Sequence, residues 1–103
     1  MDVSIVIPTY NKCDSLNKTL ISLIDQKNAP EFEVVIIDDC SEDGTPEMIQ
    51  NLTTDYQLRY IRNNQNLKAA KTRNIGLKEA RGRVVIFLDD DRLVEPEYVC
   101  NHY

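Results

Sequence analysis

Hydrophobic positions along the chain fall into four short runs, separated by stretches with a helical period. Val3–Ile7, Phe32–Ile37 and Val84–Leu88 are nearly continuous in Val, Ile, Leu and Phe, as expected for strands buried on both faces of a parallel sheet. Leu58–Arg62 alternates apolar with polar residues and reads as an edge strand. Between the first two runs, Leu16, Leu20, Leu23 and Ile24 fall at i, i+4, i+7 and i+8. They mark one face of a helix from about Cys13 to Gln26, with Asp14 or Asn11 as its cap. Met48, Ile49 and Leu52 mark a second helix, with Thr45 as cap and Pro46 at its first position. A third runs from about Lys68 to Ala80, with Ala69, Ala70, Ile75, Leu77 and Ala80 apolar. Glu95-Pro96 begins a short last helix. Asn28-Ala29-Pro30, Ser41–Gly44 and Asn63–Asn66 are the polar breaks.

This β-α-β-α-β-α-β-α order predicts an α/β fold, a Rossmann-like parallel sheet with helices on both faces. Right-handed crossovers favour the strand order 3-2-1-4. The winding then reverses between strands 1 and 4, and a crevice opens at their C-terminal ends, where such sheets bind ligands. Pro8-Thr9-Tyr10 and Asp89-Asp90-Asp91 flank that crevice, and Asp38-Asp39 lies one strand further along the same edge. Three adjacent carboxylates repel each other; at about 4 Å and an effective dielectric near 20, each close pair costs roughly 4 kcal/mol. A hard divalent cation, Mg²⁺ or Mn²⁺, is the natural counter-charge, because it takes carboxylate oxygens and shares them with phosphates. The plainer alternative is a solvated acidic turn with Arg92 as partner.

Composition narrows the picture. The 103 residues suffice for one domain, expected to span 1–103, and 42% hydrophobic with 28% charged residues is ordinary for a globular protein. A net charge of −5 argues against non-specific nucleic-acid binding. Cys13, Cys40 and Cys100 form no CxxC pair, so neither a zinc site nor a disulfide framework is expected, and a cytoplasmic location follows. No apolar run approaches the roughly 20 residues of a membrane span, so membrane association is expected only through other regions or partners. None of the three glycines lies in the turn after strand 1. A dinucleotide fingerprint and a P-loop are therefore both absent, and phosphates must be held through a metal.

Four blocks now matter together: Val3–Asn11, the run Val34-Val35-Ile36-Ile37-Asp38-Asp39-Cys40-Ser41-Glu42-Asp43-Gly44-Thr45, Arg73-Asn74-Ile75-Gly76, and Phe87-Leu88-Asp89-Asp90-Asp91. In order and spacing they resemble the family-2 glycosyltransferases, over essentially the whole chain. The resemblance implies the N-terminal, nucleotide-sugar-binding part of a GT-A fold, a nucleotide-diphosphate sugar donor and Mn²⁺ or Mg²⁺. Carried onto this sequence, it places Pro8, Thr9 and Tyr10 around the base, and gives Asp39 the base N–H; uracil or thymine would suit that acceptor. Asp89, Asp90 and Asp91 match the D-x-D region, with Asp91 as direct metal ligand. Asp89 or Asp90 would reach the ribose or a metal-bound water. Asp38 is expected to order its turn, and Arg73 to form a structural ion pair rather than meet a phosphate. One departure stands out: the family often has Asn-x-Gly ahead of the third helix, where this chain has Asn66-Leu67-Lys68. Lys68 would offer a cation to the pyrophosphate.

The family's catalytic base follows the D-x-D strand, so no catalytic residue is expected within these residues and the acceptor half is expected to be absent. The acceptor, whether saccharide, lipid or protein, is left open. So are two other classes: a non-catalytic nucleotide-binding module, and a phosphotransfer domain of the receiver or dehalogenase-like kind. Against the last, strand 1 ends in Pro8-Thr9 rather than in a nucleophilic Asp. With strand 4 at an edge, self-association through it is expected.

Overall fold

A computed structural model describes residues 1–103. Four parallel strands, β1 (Val3–Thr9), β2 (Phe32–Asp38), β3 (Gln57–Arg62) and β4 (Val84–Phe87), form one sheet in the order β3-β2-β1-β4, as the crossover rules predict. The helices are α1 (Cys13–Ser22), α2 (Thr45–Asn51), α3 (Lys68–Glu79) and α4 (Tyr98–His102). The alternating side chains of each strand feed two cores. On one face Val3, Ile5, Ile7, Val34 and Ile36 pack with Leu16, Leu20 and Leu23, and with Tyr98 and Val99 of α4. On the other, Val6, Val35 and Ile37 pack with Ile61, Ile75 and Val85. α3 lies so close on this second face that a Cβ at Gly76 would come within 2.3 Å of Val6 Cγ1.

Several boundaries differ from the sequence reading. β1 continues through Pro8 although a central strand has no room for a missing N–H. Backbone alternation explains it. The Val6 carbonyl accepts from Leu88 N–H and the Thr9 carbonyl from Asp39 N–H, so Pro8 turns its nitrogen to the β4 side, where pairing has already ended at Val6 opposite Phe87. β1 and β4 thus part just below the acidic run. β4 is not buried on both faces: Val84, Val85 and Ile86 are half-buried and Phe87 is 45% exposed, because β4 is an edge.

The α1 helix stops at Ser22 rather than Gln26, ahead of Asp25, whose left-handed φ of 60° turns the chain out. Its start is capped neither by Asp14 nor by Asn11. Asp43, from the β2–α2 loop, accepts from Cys13 N–H through Oδ2 (3.1 Å), and through Oδ1 from Thr45 N–H (3.1 Å) and Thr45 Oγ1 (2.5 Å). One carboxylate therefore serves two helix N-termini, and Gly44, not Thr45, holds the N-cap position of α2. The last helix begins at Tyr98, two residues beyond Pro96.

Candidate functional site

The C-terminal ends of β1, β2 and β4 open onto a continuous cleft in two parts. The first, about 340 Å³, is lined by Pro8, Thr9, Tyr10, Lys12, Asp39, Asn66, Lys68, Ala69, Thr72 and Asp90. The second, about 300 Å³, shares Pro8, Ala69 and Asp90 and adds Arg73, Phe87, Leu88, Asp89 and Asp91. Pro8, Thr9, Tyr10, Asp39, Lys68, Asp89, Asp90 and Asp91, singled out in the sequence from four distant stretches, thus all border one depression. Asn66, of the Asn66-Leu67-Lys68 segment, borders it too, and Lys12 and Thr72 border it without having been foreseen. Lys12 lies just outside the motif and Thr72 is one of many small residues on a helix, so local pattern does not distinguish either.

The cleft has a rigid floor made by the loops after β1 and β2. Asp38, fully buried, accepts from Ser41 N–H (2.9 Å) and Ser41 Oγ (2.5 Å) and from the Tyr60 hydroxyl; it orders the turn, as read from sequence. Burial, reinforced by that bond to the Asp38 carboxylate, pushes the Tyr60 hydroxyl pKa well up. Ser41 Oγ in turn accepts from Asn11 N–H (2.9 Å), and Asn11 Oδ1 accepts from Glu42 N–H (2.8 Å). Arg62 closes the turn by donating to the Ser41 carbonyl at 2.8 Å.

Asp39 faces the cleft, 6% exposed. Its Oδ1 accepts from Asn63 Nδ2 (3.0 Å) and Leu67 N–H (2.7 Å), its Oδ2 from Lys68 N–H (3.0 Å). Burial works to raise its pKa, but these donors, with Leu67 N–H foremost, outweigh it and hold the carboxyl below its ordinary value. It also ties the entry of α3 to the end of β2, which forces Lys68 into the left-handed region at φ 72°. That is the position where the resembled family often carries glycine. Asn11 (φ 52°) and Cys40 (φ 69°), in the loops after β1 and β2, are left-handed as well, though of the three only Lys68 lines the cleft. Strained backbone of this kind gathers at functional sites.

Asp90 accepts from Thr9 Oγ1 at 2.8 Å, linking β1 to the segment after β4. Burial, with Asp91 beside it, raises the Asp90 pKa against the lowering pull of Thr9 and Lys12. Asp89 and Asp91 are exposed. No group of three or more His, Cys, Asp or Glu side chains converges around one point. The donor set is all carboxylate oxygen, which fits a hard divalent ion in an open site that takes its remaining ligands from phosphate and water. One expectation about cations fails, and so does the partner named in the plainer alternative for the acidic run. Arg73 is exposed and pairs with no carboxylate; it lines the second part of the cleft instead. Arg92 does not neutralise the acidic run but lies over the Tyr98 ring, 5.5 Å from its centroid.

A parallel sheet with its switch point between β1 and β4, and carboxylates at that point, is the architecture of a nucleotide-binding α/β domain. The family model for glycosyl transferase family 2 matches residues 4–103, and the chain belongs to that family. It is 39% identical over 102 residues to the uncharacterized glycosyltransferase YfnE of Bacillus subtilis, covering 99% of this chain and 26% of YfnE. Residues 1–349 of Staphylococcus aureus TarS, solved in complex with UDP, superpose with a TM-score of 0.89 at 34% identity, over 99% of this chain and 31% of that one. The Pyrobaculum calidifontis mannosyltransferase PcManGT, solved with GDP-Man and Mn²⁺, gives 0.80 at 29% identity, over 88% of this chain and 28% of that one. The sheet is therefore that of GT-A glycosyltransferases, and the chain spans about a quarter to a third of the length of these relatives.

Proposed function

We propose that this chain is the donor-binding part of a glycosyltransferase that takes a nucleotide-diphosphate sugar, a UDP-sugar by preference, through Mn²⁺ or Mg²⁺. The observation that carries the proposal is the two-part cleft. A buried carboxylate, Asp39, sits with Tyr10 and Pro8 at one end, and the run Asp89–Asp91 with Arg73 lies at the other. The first part has the size and mixed lining of a small-molecule site. In it the base would meet Asp39 and stack near Tyr10, with Asp90, held by Thr9, toward the ribose. In the second part Asp91, with Asp89, would hold the metal, which when bound neutralises the leaving diphosphate. Arg73 and Lys68 would supply fixed positive charge on either side. The relatives solved with UDP and with GDP-Man and Mn²⁺ support this class of ligand.

An inverting transfer also needs a carboxylate to deprotonate the acceptor hydroxyl. By the resemblance that carboxylate follows the D-x-D strand, beyond these residues, so the chain alone should bind donor without turning it over. Calorimetry tests the reading. UDP with Mn²⁺ should bind, UDP with chelator should bind at least about tenfold more weakly, which is 1.4 kcal/mol, and Asp91→Asn should erase most of the difference. Equal affinity with and without chelator would sink the metal role.

A further inference from the structure

Positive charge is concentrated on one element. Residues 68–83 hold six of the chain's twelve Lys and Arg and one of its seventeen Asp and Glu. Six less one leaves this stretch at +5 in a chain of net −5. α3, which makes up most of it, turns Thr72, Ile75 and Gly76 toward the sheet. Ala70, Asn74 and Leu77, at i, i+4 and i+7, run down the opposite side, and all three are exposed, Leu77 at 53%. Lys71 and Lys78 run along one side of that row, and Arg81 and Arg83 follow it in the turn and the residue that leads into β4. All four are exposed and none is paired with a carboxylate.

We propose that this outer face of α3 docks on an anionic lipid surface. A short basic cluster on an amphipathic helix is the usual recognition element for acidic headgroups. Here the long stems of Lys71 and Lys78 run beside the exposed Leu77, so the ammonium groups would reach headgroups while Leu77 and Ala70 meet the acyl boundary. The acidic remainder of the chain, with sixteen Asp and Glu against six Lys and Arg, would be turned away from the same surface, which fixes the orientation. Nucleic acid fits less well, because residues 68–83 contain no aromatic side chain on which a base would stack. The other side of the same helix, through Lys68, Ala69, Thr72 and Arg73, walls the cleft, so docking would hold the cleft beside the membrane.

Co-sedimentation with vesicles tests this. The chain should bind phosphatidylcholine vesicles containing about 30% phosphatidylglycerol and not pure phosphatidylcholine, and release as salt rises from about 0.1 M to 0.5 M. Replacing Lys71→Glu together with Lys78→Glu should lower partitioning by about tenfold or more, and Leu77→Ser should lower it less. An unchanged thermal midpoint in the charge-reversed variant separates lost docking from lost folding. Equal binding to neutral and anionic vesicles, binding to neither, undiminished binding by the folded charge-reversed variant, or tighter binding to single-stranded RNA than to the anionic vesicles would each overturn the proposal.

Discussion

Asp39 accepts three hydrogen bonds from its own chain, and a carboxylate has room for about four. One acceptor position on Oδ2 is left for a ligand N–H, such as that of uracil. Asp39→Ala should weaken UDP binding by about 1–3 kcal/mol, the range for leaving a buried polar partner unsatisfied. It should also narrow the preference for UDP over GDP and CDP, and an unchanged ranking of the three would remove Asp39 from the base pocket. Lys68 combines two effects that oppose each other. Its left-handed φ of 72° costs an L-residue about 1 kcal/mol, partly offset in a glycine variant by greater freedom of the unfolded chain. Lys68→Gly should therefore raise the unfolding free energy by up to about 1 kcal/mol in urea titrations, yet lower UDP affinity if its ammonium meets the diphosphate. Stabilisation with affinity intact would show that Lys68 only shapes the loop. The strain at Lys68 was legible in the sequence because a lysine stands where the resembled family often has glycine. The same strain at Cys40 was not, since nothing in the local pattern marks that cysteine as left-handed.

Strands and their order could be read directly, because runs rich in Val and Ile with a helix between each pair leave few alternative windings. The limits of α3 and the start of α1 could be read too, but the end of α1 and its cap could not, because they are set by groups from other elements. Asp43 caps α1 from the loop ahead of α2, and Asp25, at the turn that ends α1, donates its N–H to Asp55 Oδ2 at 3.1 Å. The acid buried within the second apolar run also went unremarked. Glu33, fully buried in β2, accepts from Ser4 Oγ (2.5 Å), Arg81 N–H (2.8 Å) and Arg59 Nη1 (3.2 Å). Ser4 Oγ accepts in turn from Gly82 N–H at 2.7 Å, and Arg59 Nη2 reaches Glu79 at 3.0 Å. A Cβ at Gly82 would lie 2.5 Å from Ser4 N, so the turn between α3 and β4 is clamped to the sheet. Burial acts to raise the Glu33 pKa, and the Ser4, Arg81 and Arg59 donors overcome it, leaving the carboxyl below its ordinary value of 4.5. A carboxyl lowered by folding contributes stability that is full above its unfolded pKa and is lost as pH falls through the folded one. Arg59→Ala leaves Glu33 with less compensation and should destabilise by about 2–4 kcal/mol at neutral pH. The deficit should shrink below about pH 4.5, as Glu33 takes up a proton in the variant. Urea titrations at several pH values would show it, and a deficit independent of pH would mean that only packing was lost.

At the scale of the molecule, the sheet has two edges of different character. β3 carries Arg59 and Arg62, charges of the kind that blunt an edge. Val84–Phe87 carries neither a charge nor a proline, and the side of β4 away from β1 has no partner. Phe87 is 45% exposed beside half-buried Val85 and Ile86. The C-terminal segment does not cover this edge. It is fastened to the α1 side, where Lys27 N–H donates to the Pro96 carbonyl (2.7 Å), Gln26 Nε2 to the Glu95 carbonyl (2.9 Å) and Val99 N–H to Gln26 Oε1 (2.9 Å). Tyr98 and Val99 then fill the core on that face. In a solution of this chain a second copy would be able to cover β4, aligned antiparallel about a two-fold axis so that each Phe87 would pack on its partner's strand. Burial stabilises such a pair by roughly 25 cal/mol per Å² of apolar area, but a four-residue edge falls short of the ~1,000 Å² of a durable interface. The chain should therefore form a weak dimer, with a weight-average mass in sedimentation equilibrium that climbs with concentration. Phe87→Lys, which puts a charge on the edge without touching either core, should hold the mass at the monomer value. A parent chain that stays monomeric at high concentration, with β4 amides exchanging quickly, would mean that the edge is left open to water.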